Sequence, residues 1–152
     1  MQDLQNPEYQ LPELPSALIK LALIDESKCF HDPRYEIDMF RWHSGKDSIN
    51  PKLPCKVCFA GAVMAQHYDI SPYDYVSAFN FSESDCNKFL ALDSFRVGDV
   101  CMGVLSFYQD DETFKMPAFG KYYRSVPSYA THRIQWRAAM WEIARQLERA
   151  GF

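Results

Sequence analysis

LPCKVCFAGAVMAQH, Leu53 to His67, is the stretch on which the reading of the whole chain turns. Two cysteines at C-x-x-C spacing, Cys55 and Cys58, run directly into a row of small and apolar residues. Pro54 stands where proline is tolerated, at the entry to a helix, so the stretch predicts a helix over about residues 55–68. Ala60, Gly61, Ala62 and Ala65 are too small to fill a core themselves. They let another element approach closely, as a central helix packed on several sides requires. The expected fold is mainly α: a single compact domain of four to five helices around this small-residue central helix, with room for a short two-stranded β-hairpin.

Towards the N-terminus, PSALIKLALIDESKCF (15–30) reads as a first helix. Pro15 suits its first turn, Leu18, Ile19, Leu21 and Leu23 supply an apolar side, and Asp32-Pro33 stops it. Residues 1–13, with Pro7 and Pro12, read as an extended arm before a globular domain over 14–152. YEIDMFRW (35–42) alternates imperfectly, Tyr35, Ile37 and Met39 opposing Glu36 and Asp38, and predicts a short strand.

Beyond His67 a second short strand is expected at 75–81. Ser82 with Asp85 three residues on marks the start of a helix over 83–96. VGDVCMGVLSFY fits a helix or a strand, with Gly98 and Gly103 weakening both, and a long aromatic-rich loop follows. Thr131 can cap a last helix through Arg149, with Gly151 just past its end. Trp136, Met140, Ile143 and Leu147 share a narrow arc of that helix, with Ala139, Ala144 and Ala150 at its edges, which is a core stripe.

A chain of 152 residues fits one domain, and 47% hydrophobic with 24% charged residues is the ordinary composition of a globular protein. No tract reaches the roughly 18 apolar residues needed to span a bilayer. MQDLQNPEYQ lacks a basic-then-apolar leader, so a cytoplasmic, non-membrane protein is expected. Five cysteines without an export signal point to reduced thiols rather than a disulfide framework.

Cys55 and Cys58 could form half of a zinc site, with His43, or Cys29 and His31, completing it. A second C-x-x-C or an H-x-x-x-H is missing. His67, nine residues along a helix from Cys58, lies roughly 13 Å away. A thioredoxin-like dithiol needs the motif at a helix start directly after a strand, and the polar loop before Pro54 argues against it. Buried thiols remain the leading reading, and neither a metal nor a cofactor is expected. No G-x-S-x-G, H-E-x-x-H or phosphate-cradling glycine motif is present. Asp110-Asp111-Glu112 reads as a solvated turn and His132 as a surface residue beside Arg133, so the chain is expected not to be an enzyme.

The segment CKVCFAGAVMA (55–65), with LALDSFRVGDV (90–100) downstream, resembles a segment of small, mostly uncharacterised proteins encoded by bacteriophages and prophages of proteobacteria. That resemblance covers under a fifth of the chain and implies no catalytic residues. It implies a context: an accessory protein of a phage or mobile element, of the kind that binds and disables a host factor, defence systems included.

Net charge is −4, but it is unevenly spread. Residues 1–112 carry nine Lys and Arg against eighteen Asp and Glu, and residues 113–152 carry seven against two. The run TFKMPAFGKYYRSVPSYATHRIQWR (113–137) holds no acid and interleaves cations with aromatic rings. Such a mixture suits an acidic protein surface, because Arg, Tyr and Trp dominate binding hot spots. It also suits a nucleotide or single-stranded nucleic acid, whose bases stack on rings and whose phosphates attract cations. A third reading makes the rings core and the cations a solvated border. The candidate contact residues are Lys115, Lys121, Tyr122, Tyr123, Arg124, Arg133, Arg137, Trp141 and Arg145. The expected function is a non-catalytic binding protein of phage or mobile-element type that inhibits or modulates a host macromolecule bearing an acidic surface. The alternatives are a nucleic-acid or nucleotide-binding module and a small zinc protein or enzyme built on Cys55 and Cys58.

Overall fold

A computed structural model describes residues 9–46, 49–50, 52–76, 81–107 and 126–152. Its elements run α1 (Pro15–Phe30), β1 (Tyr35–Ile37), β2 (Cys55–Val57), α2 (Phe59–His67), α3 (Glu83–Leu92), α4 (Val97–Phe107) and α5 (Arg133–Arg149). The architecture is mainly α: five helices and one two-stranded sheet among the described residues.

The stretch from Cys55 to His67 is not one helix. Cys55, Lys56 and Val57 form β2, with Cys55 and Val57 buried and Lys56 half-exposed, as two-residue periodicity dictates. The chain turns at Cys58, whose extended backbone caps α2 while its Sγ accepts the Gly61 N–H at 3.3 Å. A sulfur acceptor thus takes the place usually held by a Ser or Asp oxygen. β2 lies parallel to β1, Tyr35 opposite Cys55 and Ile37 opposite Val57, so the two strands are joined by a crossover rather than a hairpin turn. Residues 75 and 76 are irregular, and the remainder of the strand expected at 75–81 falls largely outside the described residues.

From Phe59 to Ala65 every residue of α2 is buried, so it is the central helix. It packs against α1 and α3 and carries β2 at its N-terminal end. Its glycine is required by contact, not by conformation. A Cβ on Gly61 would sit 1.7 Å from the Trp42 carbonyl oxygen, far inside any van der Waals separation. The residue 42 backbone therefore rests directly on the helix.

α1 begins at Pro15 and stops before Asp32-Pro33, as its sequence dictates. It lies between α2 and α5. Ser82 caps α3 by accepting the Asp85 N–H at 3.2 Å, and α3 ends at Leu92, four residues short of the expected limit, where Asp93 leaves helical geometry. Residues 97–107 resolve as helix, with Gly103 facing the Ala91 backbone of α3. Thr131 does not cap α5; His132 occupies the N-cap without a side-chain bond. Gly151 follows the helix at φ +88°, the left-handed geometry that glycine accepts at a C-terminus. Trp136, Met140, Ile143 and Leu147 are all buried, and Phe59, Tyr129 and Trp136 meet edge to face with ring centroids 5.0–5.4 Å apart. Among the described residues no helix is long and apolar enough to cross a membrane.

Candidate functional site

Part of the acid-free segment turns inward. Glu26 of α1 is fully buried, and it faces α5. Arg133 donates Nε to Oε1 at 2.6 Å and Nη2 to Oε2 at 3.0 Å, a bidentate pairing. Arg137 donates Nη1 to Oε2 and also to the Leu23 carbonyl at 2.7 Å. The Tyr129 hydroxyl donates to Oε1 at 2.6 Å, and burial together with the Glu26 carboxylate pushes that phenol's pKa above its ordinary value. Two of the cations expected to meet a partner therefore hold α1 against α5. Their geometry leaves no buried acid unpaired at this contact, which is the condition for a buried ion cluster to be tolerated.

The other candidates divide. Trp141 is half-buried and packs against the core, and Arg145 pairs with Glu142 at 3.1 Å on the surface, a contact of little energetic weight. Lys115, Lys121, Tyr122, Tyr123 and Arg124, like Asp110, Asp111 and Glu112, lie outside the described residues. His132 is exposed.

The cysteine pair diverges. Cys58 belongs to the main core, whereas Cys55 joins Cys29, Tyr35, Val57, Ala62 and Ala65 in a smaller cluster beneath the sheet. Cys55 Sγ lies 3.7 Å from His43 Nε2, and both residues are buried. Burial pushes the Cys58 thiol up to about 12 and raises that of Cys55, disfavouring the thiolate that a metal or a redox reaction needs. Burial likewise lowers the pKa of His43, favouring its neutral ring. Among the described residues no three His, Cys, Asp or Glu side chains are placed to share a metal ion.

A large exposed ring lies elsewhere, on the segment that leaves β1. The Asp38 N–H donates to the Val57 carbonyl at 2.8 Å, Asp38 Oδ1 accepts the Phe40 N–H at 3.0 Å, and the Arg41 N–H donates to the Asp38 carbonyl at 3.0 Å. Trp42 donates Nε1–H to Met64 Sδ at 3.1 Å, its ring meeting Phe89 edge to face. His43 bridges Val57 in antiparallel fashion, and Ser44 bonds Lys56 through both N–H and Oγ. These contacts, with Gly61 behind them, tie the segment to β2 and α2. Phe40 nevertheless stands 88% exposed. Its ring touches only Phe95 among the aromatic residues described, centroid to centroid at 6.0 Å.

Phe40 divides two clefts. One, of about 410 Å³, lies between the end of α1, the β1 segment and the start of α5, walled by Phe30, Phe40, Phe95 and Tyr129. Glu36 and Asp38 line it, and Arg133 lies over the Phe30 ring with its guanidinium carbon 3.6 Å from the centroid. The other, of about 470 Å³, is lined by Arg41, Trp42, His43 and Tyr75. Both volumes fall in the range of ligand and anchor-side-chain pockets.

Of the described contact residues named from the sequence, Arg133 alone lines the Phe30–Phe95 cleft, and it does so as part of the Glu26 cluster. Phe30, Glu36, Asp38, Phe40 and Phe95 belong to no motif that marks them as a site. One signal for them is present: the alternation of YEIDMFRW sets Phe40 on the same side as Glu36 and Asp38, a large ring on a polar face. No protein-family model matches the chain, and no match was found among curated proteins or solved structures.

Proposed function

We propose that this chain is a non-catalytic binding protein of the phage or mobile-element type that Cys55–Ala65 resembles, acting in the host cytoplasm to modulate a host macromolecule. The observation that carries the reading is Phe40. A phenylalanine 88% exposed costs solubility and gives the core nothing, yet a dense set of backbone bonds fixes it between two clefts. Large rings presented on a rigid frame are the anchors that dominate protein–protein recognition. The described cations of the acid-free segment are engaged within the fold, so the docking surface is assigned to the Phe40 ridge. Lys115, Lys121 and Arg124 are left as auxiliary contacts for an acidic partner surface.

The test is affinity capture from host lysate after crosslinking, with captured proteins quantified for the wild type and for Phe40→Ala. Phe40→Ala should reduce the specific partner by about tenfold or more while leaving the melting temperature near that of the wild type, since the ring is not part of the core. Equal capture by both proteins would remove the ridge from the interface. Loss of capture only in Lys121→Glu and Arg124→Glu would move the contact to the acid-free segment instead.

A further inference from the structure

The chemistry of the cleft between Phe30, Phe40 and Phe95 narrows what the ridge receives, on the footing of the docking reading above. Its walls are aromatic, but its free charges are acidic. Glu36 is exposed, and neither it nor Asp38 is ion-paired to any cation among the described residues. Arg133, the one cation in the described lining, is held bidentately by Glu26. Glu26 also takes Arg137, so the internal trio keeps one net positive charge behind the cleft, against two negative charges at its mouth. Rings with carboxylates beside them attract a cation with an apolar stem, through the negative ring faces and the carboxylate oxygens together. The cleft already contains a small-scale example of that preference: the Arg133 guanidinium stacks on Phe30.

We infer that this cleft is a docking pocket for an arginine side chain of the protein partner. Its methylene stem would lie on Phe40 and Phe95, and its guanidinium would meet Glu36 and Asp38 at the mouth. Arginine is favoured over lysine because a planar fork can stack on a ring while it pairs with carboxylates. The smaller residues of the partner would cover the rim. A partner inserting an acidic side chain here would face the Glu36 and Asp38 carboxylates, so the cleft also selects against an acidic side chain at this position.

The experiment is an amide NMR titration of the whole 15N-labelled chain with N-acetyl-arginine amide at low ionic strength. N-acetyl-norleucine amide serves as an uncharged control of similar stem. Saturable shifts should centre on residues 36–40, 95 and 133. Norleucine amide should bind about tenfold more weakly, and Glu36→Gln should weaken arginine about threefold without disturbing the rest of the spectrum. Asp38 is left unaltered because its carboxylate also accepts the Phe40 N–H. Phe40→Ala should abolish saturation. Equal affinity for both probes, or arginine binding indifferent to Glu36→Gln, overturns the inference. If, in that case, Phe40→Ala still abolishes partner capture, the docking surface stands and only its charge preference is wrong. Arginine shifts that map elsewhere on the molecule overturn it as well.

Discussion

At the scale of single residues, Gly61 shows how one atom's absence shapes the molecule. In most helices glycine is a liability of about 1 kcal/mol relative to alanine, through backbone entropy. Here the missing Cβ is the space into which the Trp42 carbonyl fits, at 1.7 Å from where that carbon would stand. The neighbour is backbone, and it is tied on both sides by the bonds of Asp38, Arg41 and Ser44 to β2 and to each other, so it cannot swing away as a side-chain tip could. Gly61→Ala is therefore expected to destabilise the protein by about 3 kcal/mol, at the high end of overpacking costs and opposite in sign to the usual helix-propensity gain. Chemical denaturation of the two proteins measures it. A stability equal to or above the wild type would mean that the Trp42 backbone does not rest on α2. The same substitution should displace the Phe40 ridge, because the ridge and the Trp42 carbonyl belong to one tied segment. The closeness of this approach was legible in the row of small residues; the group that makes it, a carbonyl nineteen residues upstream, was not.

At the scale of elements, what could be read from the sequence was what depends on near neighbours. α1 starts at a proline and ends before one, α5 carries its core stripe at helical spacing, and Ser82 caps α3; each of these signals spans a handful of residues. β2 was not readable. Three residues of alternation are too few to outweigh the helical appearance of Phe59 to His67, and the partner strand lies twenty residues away. The α1–α5 contact was hidden for the same reason, since Glu26 is separated from Arg133 and Arg137 by 107 and 111 residues. An acid within α1 and a cation-rich run at the other end of the chain carry no mark that they belong together. Their pairing yields a sharp expectation. Glu26→Ala leaves two guanidinium groups and a tyrosine hydroxyl facing a void, which should cost about 3–5 kcal/mol. Glu26→Gln keeps the shape and some hydrogen bonds but leaves the cations uncompensated, and should fall between that variant and the wild type. Thermal and urea unfolding of the three proteins give the order. If Glu26→Ala unfolds at the wild-type midpoint, the cluster contributes nothing to joining the two helices.

At the scale of the whole molecule, α1 is the helix through which opposite charges are brought inside, and its two neighbouring acids meet different fates. Residues 25 and 26 are about 100° apart around the helix, so Glu26 faces α5 while Asp25 faces His67 of α2. Glu26 is matched by the basic end of the chain. Asp25 is buried, and its Oδ2 has no hydrogen-bond partner. His67 Nδ1 lies 4.0 Å from Oδ2 and Lys28 Nζ 3.9 Å from Oδ1, and the other His67 nitrogen is occupied by the Tyr9 carbonyl at 2.8 Å. Burial raises the Asp25 pKa above its ordinary 3.8, the charges of His67 and Lys28 opposing it only in part. A carboxyl whose pKa is raised by folding binds its proton more tightly in the folded state than in the unfolded one. Its contribution to stability is thus fully present below the unfolded value and is lost as pH rises through the folded value. At neutral pH the fold bears a buried, incompletely compensated carboxylate. Asp25→Asn removes that charge, and its amide can donate towards His67 Nδ1. The melting temperature of Asp25→Asn should therefore exceed that of the wild type at pH 7, and the difference should shrink as pH falls through the raised folded-state pKa of Asp25, where the wild-type carboxyl takes up its proton. Melting curves across that interval decide the matter. A variant less stable than the wild type at pH 7 would show instead that an ion pair with protonated His67 outweighs the cost of burial, and that the attachment of the Tyr9 segment to α2 depends on this charge.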